Sequence, residues 1–127
     1  MKLELSQRFF FDAAHTLERQ YETASSRRIH GHSYRAEITV CGEPDPVRGM
    51  VVDLAVLRAV IAQLHDQLDH HFLDEVPGLA PATLENLCAW IAREAQQRLG
   101  AQGRVIRVEV ARPSSGDRCV LRAQHLD

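Results

Sequence analysis

The chain has 127 residues, 45% of them hydrophobic, and a formal net charge of -2, which is enough for one domain with its own core. The near-neutral balance excludes the electrostatic footprint of a nucleic-acid binder or of a protein held on an acidic membrane surface. No apolar run approaches the ~20 residues that span a bilayer, and MKLELSQRFFF lacks signal-peptide architecture.

In chain order, residues 3–11 carry Leu3, Leu5, Phe9 and Phe11 at mostly even spacing, which predicts a strand. Ser33–Glu43 places Tyr34, Ala36, Ile38 and Val40 on one parity and Arg35, Glu37 and Thr39 on the other, a half-buried strand by period. Gly42, Pro44 and Pro46 break it. Asp53 is placed to cap a helix beginning at Leu54, whose apolar face is Leu54, Leu57, Val60, Ile61, Leu64 and Leu68. After a loop marked by Pro77, Gly78 and Pro81, Thr83 is placed to cap a second helix. Its face is Leu84, Leu87, Cys88, Ile91, Ala95 and Leu99, with Gly100 as its stop. Residues 105–112 alternate again, with Ile106, Val108 and Val110 on one face. Following the turn-like Pro113–Asp117 stretch, Cys119–Leu126 forms a shorter last strand.

The predicted order is β-β-α-α-β-β: an α+β domain spanning 1–127, with an antiparallel sheet carrying two helices on one face. A sheet covered on one side keeps open edges, and pairing between subunits would close them, so a homo-oligomer is expected. Cys41, Cys88 and Cys119 form no CxxC pair. They read as free thiols in a reducing compartment, which makes the cytoplasm the default location.

Seven histidines are many for this length. His30 and His32 flank Gly31 at the start of a predicted strand, where residues two apart share a face. His15 follows the first strand, and a hairpin would return it beside them. Three imidazoles with a fourth position open are the ligand set of a catalytic metal centre, zinc above all; the plainer alternative is a turn with exposed imidazoles. A second cluster, Asp69-His70-His71, lies just past the first long helix. Asp69 beside His70 reads either as an oriented acid–base pair or as a polar helix C-terminus favoured by the dipole.

FFFDAAH (9–15), IHGHSY (29–34), GMVVDL (49–54), LDHHFL (68–73), VPGL (76–79) and the Thr83-Leu84-Glu85-Asn86 helix start occur in that order over almost the whole chain. The ordered set resembles the 6-pyruvoyl- and 6-carboxytetrahydropterin synthases. The resemblance implies the tunnelling fold (T-fold), in which subunits join their sheets into an oligomeric barrel, usually a hexamer of two trimers with the active site at a subunit interface. It implies Zn2+ on His15, His30 and His32, catalysis by a Cys with an Asp-His pair that maps onto Asp69 and His70, and a substrate-side helix start at Thr83 and Glu85. Members of the family act on 7,8-dihydroneopterin triphosphate, a small molecule; one branch leads to tetrahydrobiopterin, the bacterial branch to queuosine and related 7-deazaguanines.

Two positions depart from that pattern. Ser26 stands where the family's catalytic Cys would fall, four residues before His30, and a hydroxyl is a far poorer base than a thiolate. Some branches use a Glu instead, and Glu18 and Glu22 lie in the same loop. At the end of the third strand the family carries a Glu that anchors the pterin's N–H edge, and here that place holds Arg112. Arg offers donors only and suits a carboxylate or phosphate. Glu109, of opposite strand parity, should face away. The expected function is a zinc-dependent lyase or synthase acting on 7,8-dihydroneopterin triphosphate or a related compound. The alternatives are a paralogue with a carboxylated or phosphorylated substrate and a non-catalytic ligand-binding paralogue.

Overall fold

The structure, a computed structural model, describes residues 1–21 and 23–122, with Thr23 described in its backbone only. Strand β1 (Leu3–His15) leads through a short helix α1 (Thr23–Arg27) to β2 (His30–Gly42). Helices α2 (Leu54–Leu68) and α3 (Leu84–Leu99) follow, and β3 (Arg104–Arg112) and β4 (Asp117–Arg122) complete the order. The four strands form one antiparallel sheet in the order β1-β2-β3-β4.

The predicted caps are present. Ala55 N–H donates to Asp53 Oδ1 (2.8 Å), and Asn86 N–H donates to Thr83 Oγ1 (3.1 Å). These side chains satisfy backbone donors that the first helical turn leaves without intrahelical partners. Leu57, Val60, Ile61, Leu64 and Leu68 of α2 are buried together with Leu87, Cys88, Ile91, Ala95 and Leu99 of α3. They pack against Phe9, Phe11, Tyr34, Ala36, Ile38, Val108 and Val110 on the facing side of the sheet. Each large aliphatic side chain so buried contributes about 1.5–3 kcal/mol.

Several expectations need correction at their edges. β1 and β2 are longer than predicted, running to His15 and starting at His30 respectively, so the metal-ligand candidates sit inside the sheet. The connecting loop holds α1, whose single turn is too short to show a hydrophobic period. In β3 the inward residues are Val105, Val108 and Val110, while Ile106 is only partly buried. The cause is a register shift at Thr39/Val40: Thr39 pairs with Arg107 but Val40 pairs with Val105. One extra residue in one strand reverses the parity beyond it. β4 begins at Asp117, two residues earlier than expected, after a turn closed by Gly116 at φ 78°. The predicted extension to Leu126 falls partly outside the described residues, as does Glu22.

Candidate metal centre and its cleft

The β1–β2 register sets Phe11 opposite Tyr34, Ala13 opposite His32 and His15 opposite His30. Strand alternation then puts Tyr34, His30 and His32 on the helix-facing side with His15. The three imidazoles meet edge to face, with ring centroids 4.5–4.9 Å apart. One nitrogen from each lies within 4.8 Å of the others.

Backbone carbonyls fix which nitrogen is available. His15 Nδ1–H donates to the Ala82 carbonyl (2.8 Å), and His30 Nδ1–H donates to the Arg28 carbonyl (2.7 Å). In the neutral ring the lone pair is then on Nε2. His15 Nε2 and His32 Nε2 are buried without a partner in the protein. Burial pushes the His15 pKa down, against the hydrogen bond to Ala82. It pushes His32 down to about 4, with the charges of His15 and Arg112 adding to the effect. The neutral, unpartnered imidazoles of His15 and His32, converging with His30, fit a divalent transition metal, and the carbonyl contacts are the outer contacts that orient such ligands.

The second cluster lies beside the first. The chain leaving α2 folds back along β1: His70 N–H donates to the Asp12 carbonyl (2.7 Å), and Ala14 N–H donates to the His71 carbonyl (3.1 Å). His70 makes this bend in the left-handed region, at φ 57°, where His is better tolerated than bulky or β-branched residues. Asp69 is the hinge pin. Its Oδ1 accepts from Asp12 N–H (2.9 Å), and its Oδ2 accepts from His70 Nδ1–H (2.7 Å). The Asp12 backbone bond and the His70 bond hold the Asp69 pKa below the usual carboxylate range, and Asp69 in turn raises that of His70. His32 and His70 both line a cleft of about 700 Å³ that also takes in Asp12, Ser33, Phe72 and Ser114.

Of the residues singled out from sequence, His15, His30 and His32 converge, while Asp69 and His70 pair with each other along β1, where His70 lines a cleft that His32 also lines. Arg112 is buried at the end of β3, and its charge is felt by His15, His32 and Tyr34. Ser26 is buried on α1, with its carbonyl accepting from Leu17 N–H (2.8 Å), and it does not line the cleft. Thr83 caps α3, while Glu85 is exposed in that helix's first turn; neither lines the cleft. Glu18 is exposed. Glu109 sits on the opposite face of the sheet, ion-paired with Arg107 (2.7 Å) and Arg35 (3.5 Å), as its parity requires. Sequence reasoning missed Tyr34 as a site residue, although its spacing of two from His32 was the available signal.

A second cavity, of about 710 Å³, lies at the far end of β2 against Gln96 and Gly103. Gln96 is already committed there: its amide donates to Gly103 O (2.9 Å), and its oxygen accepts from Val105 N–H (2.8 Å). The convergence of unsatisfied groups is confined, among the described residues, to the histidine end.

Comparison with known proteins agrees with this arrangement. A sequence model of the 6-pyruvoyl tetrahydropterin synthase family matches residues 4–124. A 6-carboxy-5,6,7,8-tetrahydropterin synthase from Synechocystis is 38% identical over 88 residues, covering 65% of this chain and 67% of the relative. A dihydroneopterin monophosphate aldolase from Pyrococcus furiosus is 31% identical over 100 residues, covering 78% and 80%. The fold is shared with the 6-pyruvoyl tetrahydropterin synthase of Caenorhabditis elegans, at a TM-score of 0.85 and 21% identity over 96% of each chain. With the T-fold sheet, the histidine cluster and the sequence match in place, the chain belongs to the 6-pyruvoyl tetrahydropterin synthase family.

Proposed function

We propose that the protein is a zinc-dependent lyase that eliminates from, or cleaves, the side chain of a dihydropterin or a closely related compound. The observation that carries this reading is the pair of buried, unpartnered Nε2 atoms of His15 and His32, set beside His30. A scaffold has no use for such an arrangement, because a buried polar atom without a partner costs about 1–3 kcal/mol.

Zinc held by His15, His30 and His32 would act as a Lewis acid on a side-chain oxygen of the substrate, acidifying the neighbouring O–H or C–H. Asp69 keeps the His70 proton on Nδ1 and leaves Nε2 facing solvent and cleft to take or return a proton. Family membership extends to relatives named as synthases and as an aldolase, so both carbon–oxygen and carbon–carbon cleavage lie within the reading. The two sheet edges, β1 and β4, are where copies of the chain would join, and a hexamer of two trimers is the proposed assembly.

The test is one incubation. Zinc-loaded protein is mixed separately with 7,8-dihydroneopterin triphosphate and with the monophosphate, and phosphate-containing products and new pterins are followed by chromatography and mass spectrometry. Turnover above a His30→Ala control supports the reading, and the product's side chain names the branch. A zinc-loaded protein that turns over neither compound overturns a standard pterin substrate.

A further inference from the structure

Among the described residues, four buried side-chain nitrogen or oxygen atoms lack a partner: His15 Nε2, His32 Nε2, Tyr34 Oη and Arg112 Nε. All four belong to one neighbourhood. Tyr34 stacks on Phe11 and meets His32 edge to face, with centroids 5.7 Å apart. The β2–β3 ladder pairs Arg35 with Ala111, so the next step brings Tyr34 level with Arg112 on the side that faces the helices. The first two atoms are acceptors, and a metal satisfies them. The other two differ in kind: Arg112 Nε–H only donates, and the Tyr34 hydroxyl has a proton to give. A metal satisfies neither. They call for an acceptor.

We propose that Arg112 and Tyr34 form a subsite for an anionic group of the substrate, a carboxylate or a phosphate, held beside the three histidines. The inference rests on reading the histidine cluster as the reaction centre, and it names the class of substrate that this centre takes. Arg112 is about nine-tenths buried, so its charge is not a solvated strand end. One Nη donates to Asp117 Oδ2 (3.1 Å), and Asp117 is half exposed and shared with Ser115 Oγ–H (2.9 Å). That contact fixes the guanidinium from outside and leaves Nε–H facing inward. A neutral donor edge, such as a pterin's amino and N3–H groups, would meet donor with donor here. A carboxylate or phosphate oxygen would accept from both Arg112 and Tyr34 in charge-assisted bonds.

The probes are malonate and inorganic phosphate, titrated calorimetrically into zinc-loaded and metal-free protein, with zinc content and melting temperature measured for every variant. One anion is expected to bind the zinc-loaded protein, and which of the two binds separates the carboxylate from the phosphate source. Arg112→Met should weaken that binding about 10- to 100-fold, the equilibrium equivalent of a lost charged hydrogen bond. Arg112→Lys should fall between, and Tyr34→Phe should lose less. Zinc stoichiometry should not change. Unchanged affinity in Arg112→Met, or in both Arg112→Lys and Tyr34→Phe should the first not fold, overturns the subsite, as does a zinc-loaded protein that binds neither anion. Absence of zinc from the wild-type protein instead overturns the proposed function, and Arg112-dependent binding without metal would then uphold the subsite alone.

Discussion

The two faces of the sheet handle buried charge in opposite ways. On the open face, Arg8 and Arg107 both donate to Glu37 (2.7 and 3.1 Å), and Arg107, Arg35 and Arg118 surround Glu109. Glu37 and Glu109 each have at least two cationic neighbours. On the helix-facing side of the same strands, His32, Tyr34 and Arg112 carry atoms with no partner at all. Folding alone would favour the first arrangement over the second, since a buried polar group left unpaired costs stability that a partner within the chain would offset. The contrast therefore separates a structural network from a ligand site: one completes itself within the chain, and the other is completed from outside.

Removing a ligand from the unsatisfied side should have the largest effect. His32→Ala is expected to lower zinc affinity by more than about 100-fold, because changes even to groups that merely orient ligands cost about 10- to 100-fold. The readout is zinc per chain after dialysis, together with a competition titration against a chromophoric chelator. The apo protein should melt no lower than wild-type apo protein, since an unpartnered buried nitrogen has been removed. A variant that keeps its zinc would break the comparison at its centre.

The paired side should respond in the reverse sense. Glu109→Gln leaves Arg107, Arg35 and Arg118 without their shared carboxylate, and about 1–3 kcal/mol of stability should go with it. Zinc affinity should stay at the wild-type value. The sign of the pH dependence follows from the Arg contacts, which outweigh burial and hold the Glu109 pKa below the ordinary Glu value. A carboxylate depressed in the folded state stabilises it above the unfolded pKa, and that stability is lost as pH falls through the folded value. The gap between wild type and variant in chemical denaturation should therefore be full at neutral pH and close below about pH 4.3.

Much of this division was readable in the sequence, and the unread part has identifiable causes. Parity alone put His30, His32 and Tyr34 on one face and Glu37 and Glu109 on the other, because strand alternation is a strict period of two. The helices were readable because Leu57 to Leu68 and Leu87 to Leu99 recur with the helical period and Asp53 and Thr83 have capping chemistry. Val105 was misplaced because the bulge opposite Thr39/Val40 is a pairing property that neither strand announces by itself. The role of Ala82 in holding His15 was hidden because a backbone carbonyl has no residue signature, and the contact spans 67 residues. Ser26 stood in the motif position for a base, yet its helix carries it away from the cleft lining, something spacing alone does not reveal.

The finest test of the comparison lies at Asp69–His70, which is internally paired beside the strand that carries His15. His70 is exposed and Asp69 half-buried, so the pair should contribute little to folding and should matter through His70's protonation. The hydrogen bond from Nδ1–H and the carboxylate charge raise the His70 pKa above 6.5. A histidine raised in the folded state stabilises it fully below the unfolded pKa, and the contribution fades as pH climbs through the folded value. Asp69→Asn removes the charge and keeps an acceptor for the Asp12 N–H. In an imidazole NMR titration the His70 midpoint should fall toward 6.5, while melting at pH 8, where the contribution has faded, should barely move. Any activity found for the wild-type protein should shift its pH profile in the same direction as the NMR midpoint. A profile that ignored the shift would assign proton transfer to another group in the cleft and leave Asp69 as a pin for the chain reversal after α2.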